Sequence, residues 1–163
     1  DMYKILDLNK INALCKQNNA VLLIKKHYYH RNEDSIDNNE FECVKEVTND
    51  NPKTPIMLSA ADVLISDYSG AFPDHLLLHR PQIFYCYDIE DYLENDREMY
   101  FEYDKIVAGP ICKNNNELLY ELSELLSGND SYKDLREKQL NFFYSKDNQQ
   151  LVSPRQLEAI LNL

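Results

Sequence analysis

A chain of 163 residues, 44% hydrophobic and 28% charged with only 3 glycines, suits one globular domain built on a single core. No apolar run approaches the ~20 residues of a membrane span, and the start lacks the basic-then-apolar order of a signal peptide. With 28 acidic against 17 basic residues the formal net charge is -11, a field that repels nucleic acid and anionic lipid, so neither is expected as a direct partner.

The chain opens Asp1-Met2-Tyr3 and enters an amphipathic pattern at once, as a domain excised from a larger protein would. Ile5, Leu8, Ile11, Leu14 and Cys15 recur at helical spacing, with Lys4, Lys10, Asn12 and Lys16 opposite, and predict a helix over 5–17 that Asn18-Asn19 ends. Ala20 to Ile24 reads as a buried strand. It runs straight into Lys25-Lys26-His27-Tyr28-Tyr29-His30-Arg31, a positive island in an acidic chain. Residues 32–40 read as a polar loop and 41–47 as a short strand. Thr54-Pro55 opens a helix through Ala60, because proline fits a first helical turn.

Val63, Leu64 and Ile65 form a continuous apolar run, as in a strand buried on both faces. Ser66, Asp67, Tyr68, Ser69 and Gly70 break it, and residues 71–78 read as a helix with Pro73 in its first turn. In a parallel α/β sheet such a corner lies at the carboxyl edge, where ligands sit and free amides favour anions. The same residues also suit an empty turn in which Asp67 accepts from turn amides, Ser69 caps the helix and Gly70 relieves crowding. The basic island lies just past a strand end too, so the two polar corners are expected to face one crevice.

Gln82 to Tyr87 reads as a third strand after Pro81, Asp88 to Leu93 as a helical turn, and residues 94–105 as a charged, tyrosine-rich surface excursion. Ile106 to Ile111 is apolar with a break at Gly109-Pro110, read as a loop brought close to the crevice. Residues 114–126, 131–144 and 153–161 have helical spacing and close the chain. Cys15, Cys43, Cys86 and Cys112 are scattered without metal-like pairing, which fits reduced thiols in a cytoplasmic protein. No GxGxxG, GxxxxGK[ST] or HExxH occurs, so the usual dinucleotide, P-loop and zinc-protease signatures are absent. The expected architecture is α/β, a Rossmann-like parallel sheet with flanking helices, with residues 1–163 as one nucleotide-donor-binding domain.

These pieces come in a recognisable order. Leu23-Ile24-Lys25-Lys26-His27, the block Ala61 to Asp74 with its Asp67-Tyr68-Ser69-Gly70 turn, Arg80 to Asp88, Gly109-Pro110 and the closing Asp147 to Arg155 together resemble the CDP-glycerol glycerophosphotransferase family. That family comprises teichoic acid polymerases and primases that look like two-domain GT-B enzymes, and the resemblance is to their C-terminal, donor-binding half. The chain departs from the family pattern at Tyr28, where a proline is usual, at Gly70, where a second serine is usual, and after Asp147, where a glycine is expected.

The resemblance implies transfer of glycerol phosphate or a related polyol phosphate from a CDP-activated donor to a cell-surface polymer or glycolipid, with release of CMP. His27 would be catalytic, contacting or protonating a phosphate oxygen at the bond being broken. Ser69 and Gly70 would hold the donor diphosphate, with Asp67 and Tyr68 beside them. Lys25 and Arg155 would supply countercharge, and Gly109 and Pro110 would wall the nucleotide pocket. No metal or other cofactor is implied. The acceptor would be reached through a missing N-terminal domain, and the inner face of the plasma membrane only through the parent protein. Two other readings fit the same residues: the donor half of a nucleotide-sugar GT-B glycosyltransferase, and a non-catalytic module that keeps the fold for contacts with a partner.

Overall fold

The computed structural model describes residues 5–26, 35–48, 53–95, 101–144 and 161. Helix α1 (Leu8–Gln17) starts three residues later than the spacing alone suggests, because the Asp7 carboxylate accepts from the Lys10 amide at 3.1 Å and caps it there. It buries Leu8, Ile11 and Cys15 on one stripe. Strand β1 (Leu22–Ile24) pairs in parallel with β2 (Val44–Glu46), Leu22 opposite Val44 and Ile24 opposite Glu46. Only one face of β1 is covered: Ile24 is buried while Leu23 is 50% exposed, where the apolar run had suggested burial throughout.

Helix α2 (Thr54–Ala60), with Pro55 in its first turn, leads to β3 (Leu64–Ser66). The short α3 (Phe72–Leu76), β4 (Gln82–Tyr85), α4 (Ile89–Asn95), α5 (Tyr103–Ile106) and β5 (Ile111–Cys112) follow. Helices α6 (Asn115–Leu126) and α7 (Lys133–Phe143) complete the described elements. β3, β4 and β5 form a second parallel sheet in that order, with Ser66 opposite Phe84 and Tyr85 opposite Cys112. Among the described residues β3 pairs on one side only and is half-buried along its length, whereas every residue of the central β4 is buried. An apolar run of three cannot tell an edge strand from a central one; the number of paired neighbours decides it.

Side chains of β4 alternate between two cores, as a period of two requires. Ile83 and Tyr85 join Leu8, Ile11, Val44, Leu118 and Leu122 under α1 and α6. Phe84, with Cys86 just beyond the strand, faces Phe72, Leu76, Tyr103 and Val107, with Leu140 and Phe143 of α7 packed on. Helices therefore cover both faces of the β3–β4–β5 sheet, and the expected α/β class with parallel strands and flanking helices stands.

Three local features differ from the sequence reading. The helix after Gly70 has five residues rather than the eight of 71–78, too few for a strong macrodipole. The polar stretch before residue 105 holds a buried tyrosine, Tyr103, in α5. The Gly109-Pro110 break enters β5 at the sheet's amino end, beside Gln82 at the start of β4, rather than lining the carboxyl edge. A Cβ on Gly109 would lie 1.9 Å from the Gln82 carbonyl oxygen, and the Pro110 carbonyl accepts from the Phe84 amide at 2.9 Å. Glycine is there for backbone approach. The closing helix expected over 153–161 lies outside the described residues, Leu161 apart.

Candidate functional site

Parallel strands deliver their following loops to one edge, so the segments after Ser66, Tyr85 and Cys112 meet there. Tyr68 and Asp88 confirm the meeting: the Tyr68 hydroxyl donates to the Asp88 carboxylate at 2.8 Å, and its ring stacks on Tyr92 at 3.9 Å between centroids. Burial, then the bond to Asp88, pushes the Tyr68 pKa far up, so it remains a neutral donor. Tyr87, next to Asp88, is pushed up to about 12, again chiefly by burial. Beside them a depression of about 300 Å³ is lined by Tyr87, Asp88, Ile89, Glu90, Asp91 and Lys113. Lys113 pairs with Glu90 there at 3.1 Å, so acidic groups dominate that hollow.

The turn itself is built by its own side chains. Asp67 Oδ1 accepts from the Ser69 amide at 3.0 Å, and Ser69 Oγ accepts from the Ala71 amide at 3.3 Å. The Asp67 carboxylate is thus committed to closing the turn, a placement that suits it better than contact with an anionic ligand. The Ser69 amide is committed to it as well. What remains outward is the Ser69 hydroxyl proton, whose oxygen already accepts from within, and the amide of Gly70, which bonds nothing among the described residues. Both residues are exposed. Of the two amides expected to hold a diphosphate, Gly70's bonds nothing among the described residues and Ser69's is used by Asp67.

The second corner follows β1 and β2. Thr48 Oγ1 accepts from the Lys26 amide at 3.0 Å, and Lys26 Nζ lies 3.6 Å from Glu46 Oε1 with both side chains almost fully buried. Glu46 Oε2 also accepts from the Ile36 amide at 3.2 Å, which ties the loop before β2 to the same pair. Lys25, half-buried, reaches Thr54 Oγ1 at 3.3 Å, at the start of α2. From there α2 leads the chain into β3. His27 and Arg155 lie outside the described residues.

Lys25 thus stands at one corner and Asp67, Tyr68, Ser69 and Gly70 at the other, while Gly109 and Pro110 lie at the far edge. Sequence reasoning missed three supports of these corners. Glu46 sat in a short strand reading, 41–47, with no signal that it faces a lysine. Asp88 fell inside the resembling block without a role. Tyr103 was hidden by charged neighbours, yet it is 6% exposed and its hydroxyl donates to the Asp67 carbonyl at 2.6 Å.

A layered α/β unit with parallel strands and helices packed on its sheet is a Rossmann-like domain. The sequence model of the CDP-Glycerol:Poly(glycerophosphate) glycerophosphotransferase family matches residues 2–162, and the chain belongs to that family. It is 32% identical over 114 residues to the teichoic acid ribitol-phosphate polymerase TarL of Staphylococcus aureus, covering 70% of this chain and 20% of that protein. It is 32% identical over 126 residues to the teichoic acid glycerol-phosphate transferase of the same organism, covering 77% and 30% respectively. Among solved structures, a variant of the wall teichoic acid polymerase TagF superposes with a TM-score of 0.71 at 26% identity, over 84% of this chain and 32% of that one. A TagF variant soaked with CDPG gives 0.66 at 28% identity, over 80% and 32%. The chain thus spans less than a third of the length of each of these relatives.

Proposed function

We propose that this chain is the donor-binding domain of a transferase that moves glycerol phosphate, or a related polyol phosphate, from a CDP-activated donor to a teichoic-acid-like polymer. The observation that carries this reading is the family match along nearly the whole chain, 2–162. The outward donors at Ser69 and Gly70 and the cation at Lys25 support it.

In the proposed reaction a hydroxyl of the acceptor attacks the phosphorus bearing the polyol. The bond from that phosphorus to the bridging oxygen breaks, and CMP leaves with the bridging oxygen and its electron pair. The acceptor's proton passes to a base on the acceptor side or to water. Such transfers are mostly positioning and charge neutralisation, so the work assigned here is holding the diphosphate still. Ser69 Oγ–H and the Gly70 amide donate to its oxygens, and Lys25 and Arg155 offset its charge. His27, with a reference pKa near neutrality, contacts or protonates a phosphate oxygen at the bond being broken. Tyr68 and its stacked partner Tyr92 form a wall beside the turn. The acceptor is bound by a further domain of the parent protein, which works at the cytoplasmic face of the membrane.

Calorimetric titration of the chain with CDP-glycerol, CDP and a UDP-sugar tests this. Saturable binding of the two cytidine nucleotides and none of the UDP-sugar is expected. Preference for the UDP-sugar would make the domain half of a glycosyltransferase, and silence toward all three would make it a non-catalytic module. In His27→Ala, unchanged CDP-glycerol affinity would remove the ground-state contact assigned to His27 and leave a role only in the transition state.

A further inference from the structure

We infer that Tyr103 is a positioning residue for the donor turn: its buried hydroxyl holds the Asp67 carbonyl and so sets the direction in which Ser69 and Gly70 present their donors. The ligand half of this inference rests on the donor-binding reading above; the geometric half does not.

Asp67, Ser69 and Gly70 are exposed, and the bonds that shape the turn, Asp67 to Ser69 and Ser69 to Ala71, run between its own residues. Such bonds give the turn its form but do not fix it to the core. Two tyrosine hydroxyls do: Tyr68, within the turn, anchors its side chain on Asp88 at 2.8 Å, and Tyr103 holds the turn's main chain through the 2.6 Å bond to the Asp67 carbonyl. The Tyr103 proton has one destination, because the Cys86 thiol donates to the same hydroxyl oxygen at 3.6 Å. Burial, more than any other influence, raises the Tyr103 pKa well beyond its ordinary value and keeps that proton in place.

The phenol is itself immobilised. Its ring meets Phe84 edge-on at 6.0 Å and Tyr68 at 5.6 Å. The helix carrying it is tied to α7 by the buried Gln139, whose amide donates to the Lys105 carbonyl at 2.8 Å. A continuous set of contacts therefore runs from α7 through α5 to the main chain of the turn. Orientation within about 0.5 Å is what separates a productive phosphate site from a loose one.

The test removes the hydroxyl and keeps the ring. Tyr103→Phe is compared with Tyr85→Phe, which loses a hydroxyl bond to another main-chain carbonyl, that of Ile5 at 3.3 Å, away from the turn. Backbone ¹⁵N relaxation at residues 68–71 is read without ligand, and CDP-glycerol affinity by calorimetry. Tyr103→Phe is expected to lower the heteronuclear NOE at Ser69, Gly70 and Ala71 alone and to weaken CDP-glycerol by about three- to tenfold. Tyr85→Phe should leave both unchanged while losing comparable thermal stability. Gln139→Met, which unties α5 but leaves the phenol intact, should loosen the same amides and decides the question if Tyr103→Phe does not fold.

Turn amides as ordered as in the unmodified chain overturn the inference, whatever happens to stability. An unmodified chain that ignores CDP-glycerol sinks the donor-binding reading instead, and the relaxation data still judge Tyr103.

Discussion

Replacing Glu46 by alanine takes a buried carboxylate away from the ammonium of Lys26. The two groups lie 3.6 Å apart with side chains 2% and 4% exposed, so water cannot take over the solvation that the carboxylate supplies. Breaking one side of such a buried pair costs about 3–5 kcal/mol, and the Ile36 amide loses an acceptor at the same time. For a domain of this size each kcal/mol moves the melting midpoint by about 2–4 °C, so Glu46→Ala should melt about 6–20 °C below the parent chain. The double variant Lys26→Met, Glu46→Leu removes both charges and fills the space. It should recover most of the loss or exceed the parent, because the desolvation penalty goes with the pair. Scanning calorimetry at neutral pH, with urea titration as a second probe, measures both. A Glu46→Ala chain melting within 2 °C of the parent would show that Lys26 is solvated by other means, and the account of this corner as a buried clamp would fall.

Gly109→Ala forces a methyl group to within 1.9 Å of the Gln82 carbonyl oxygen, where only backbone can yield. Destabilisation at or above the upper end of the usual ~1–3 kcal/mol for overpacking is expected by urea titration. Because the residue sits at the amino edge, the folded fraction should bind CDP-glycerol as the parent does; a selective loss of affinity would return Gly109 to the pocket wall. His75 makes a separate prediction in pH. It is fully buried, its Nε2 lies 3.3 Å from the Ala61 carbonyl oxygen and its Nδ1 3.3 Å from the Gln82 amide nitrogen, and burial holds its pKa below 6.5. The unfolded chain therefore binds the proton first, and this group's contribution to stability is complete above pH 6.5 and shrinks as pH falls toward the lowered folded value. The nearby guanidinium groups of Arg80 and Arg136 act in the same direction. Proton NMR of the His75 ring should show it neutral through pH 6.5, and a midpoint at or above that value would refute the assignment.

The layers and their order were largely readable from sequence, because helical spacing in 5–17, 114–126 and 131–144 and apolar runs at 20–24, 63–65 and 82–87 carry period and length directly. The strands' depth was not. Leu22 to Ile24 and Leu64 to Ser66 look as apolar as Gln82 to Tyr85, yet only the last is buried along its whole length, since depth depends on how many strands and helices flank it. The Asp67 to Gly70 turn was legible as a corner with two uses, and its internal bonds to Ser69 and Ala71 show that shaping the loop and presenting donors draw on different atoms of the same residues. Its supports were illegible for a simpler reason. Tyr103 and Asp67 are 36 positions apart, and Lys26, just past β1, is 20 positions from Glu46 at the end of β2. No local period encodes such partners.

Both corners rest on polar groups taken out of water, and this bears on what the fold is built to do. An apolar filling under each corner would serve stability at least as well, since a buried ion pair seldom outperforms well-packed hydrocarbon. What directional bonds add is a fixed main chain: Thr48 holds the Lys26 amide at 3.0 Å, and Tyr103 holds the Asp67 carbonyl at 2.6 Å. In each case the residue held is next to a proposed ligand contact, Lys25 at one corner and the Tyr68 to Gly70 turn at the other. A hydrocarbon floor would leave those peptides free to rotate, because dispersion contacts have no preferred direction. Exchanging directional bonds for packing at either corner should therefore weaken the hold on a diphosphate by more than any change in stability explains, the outcome that separates a site from a turn.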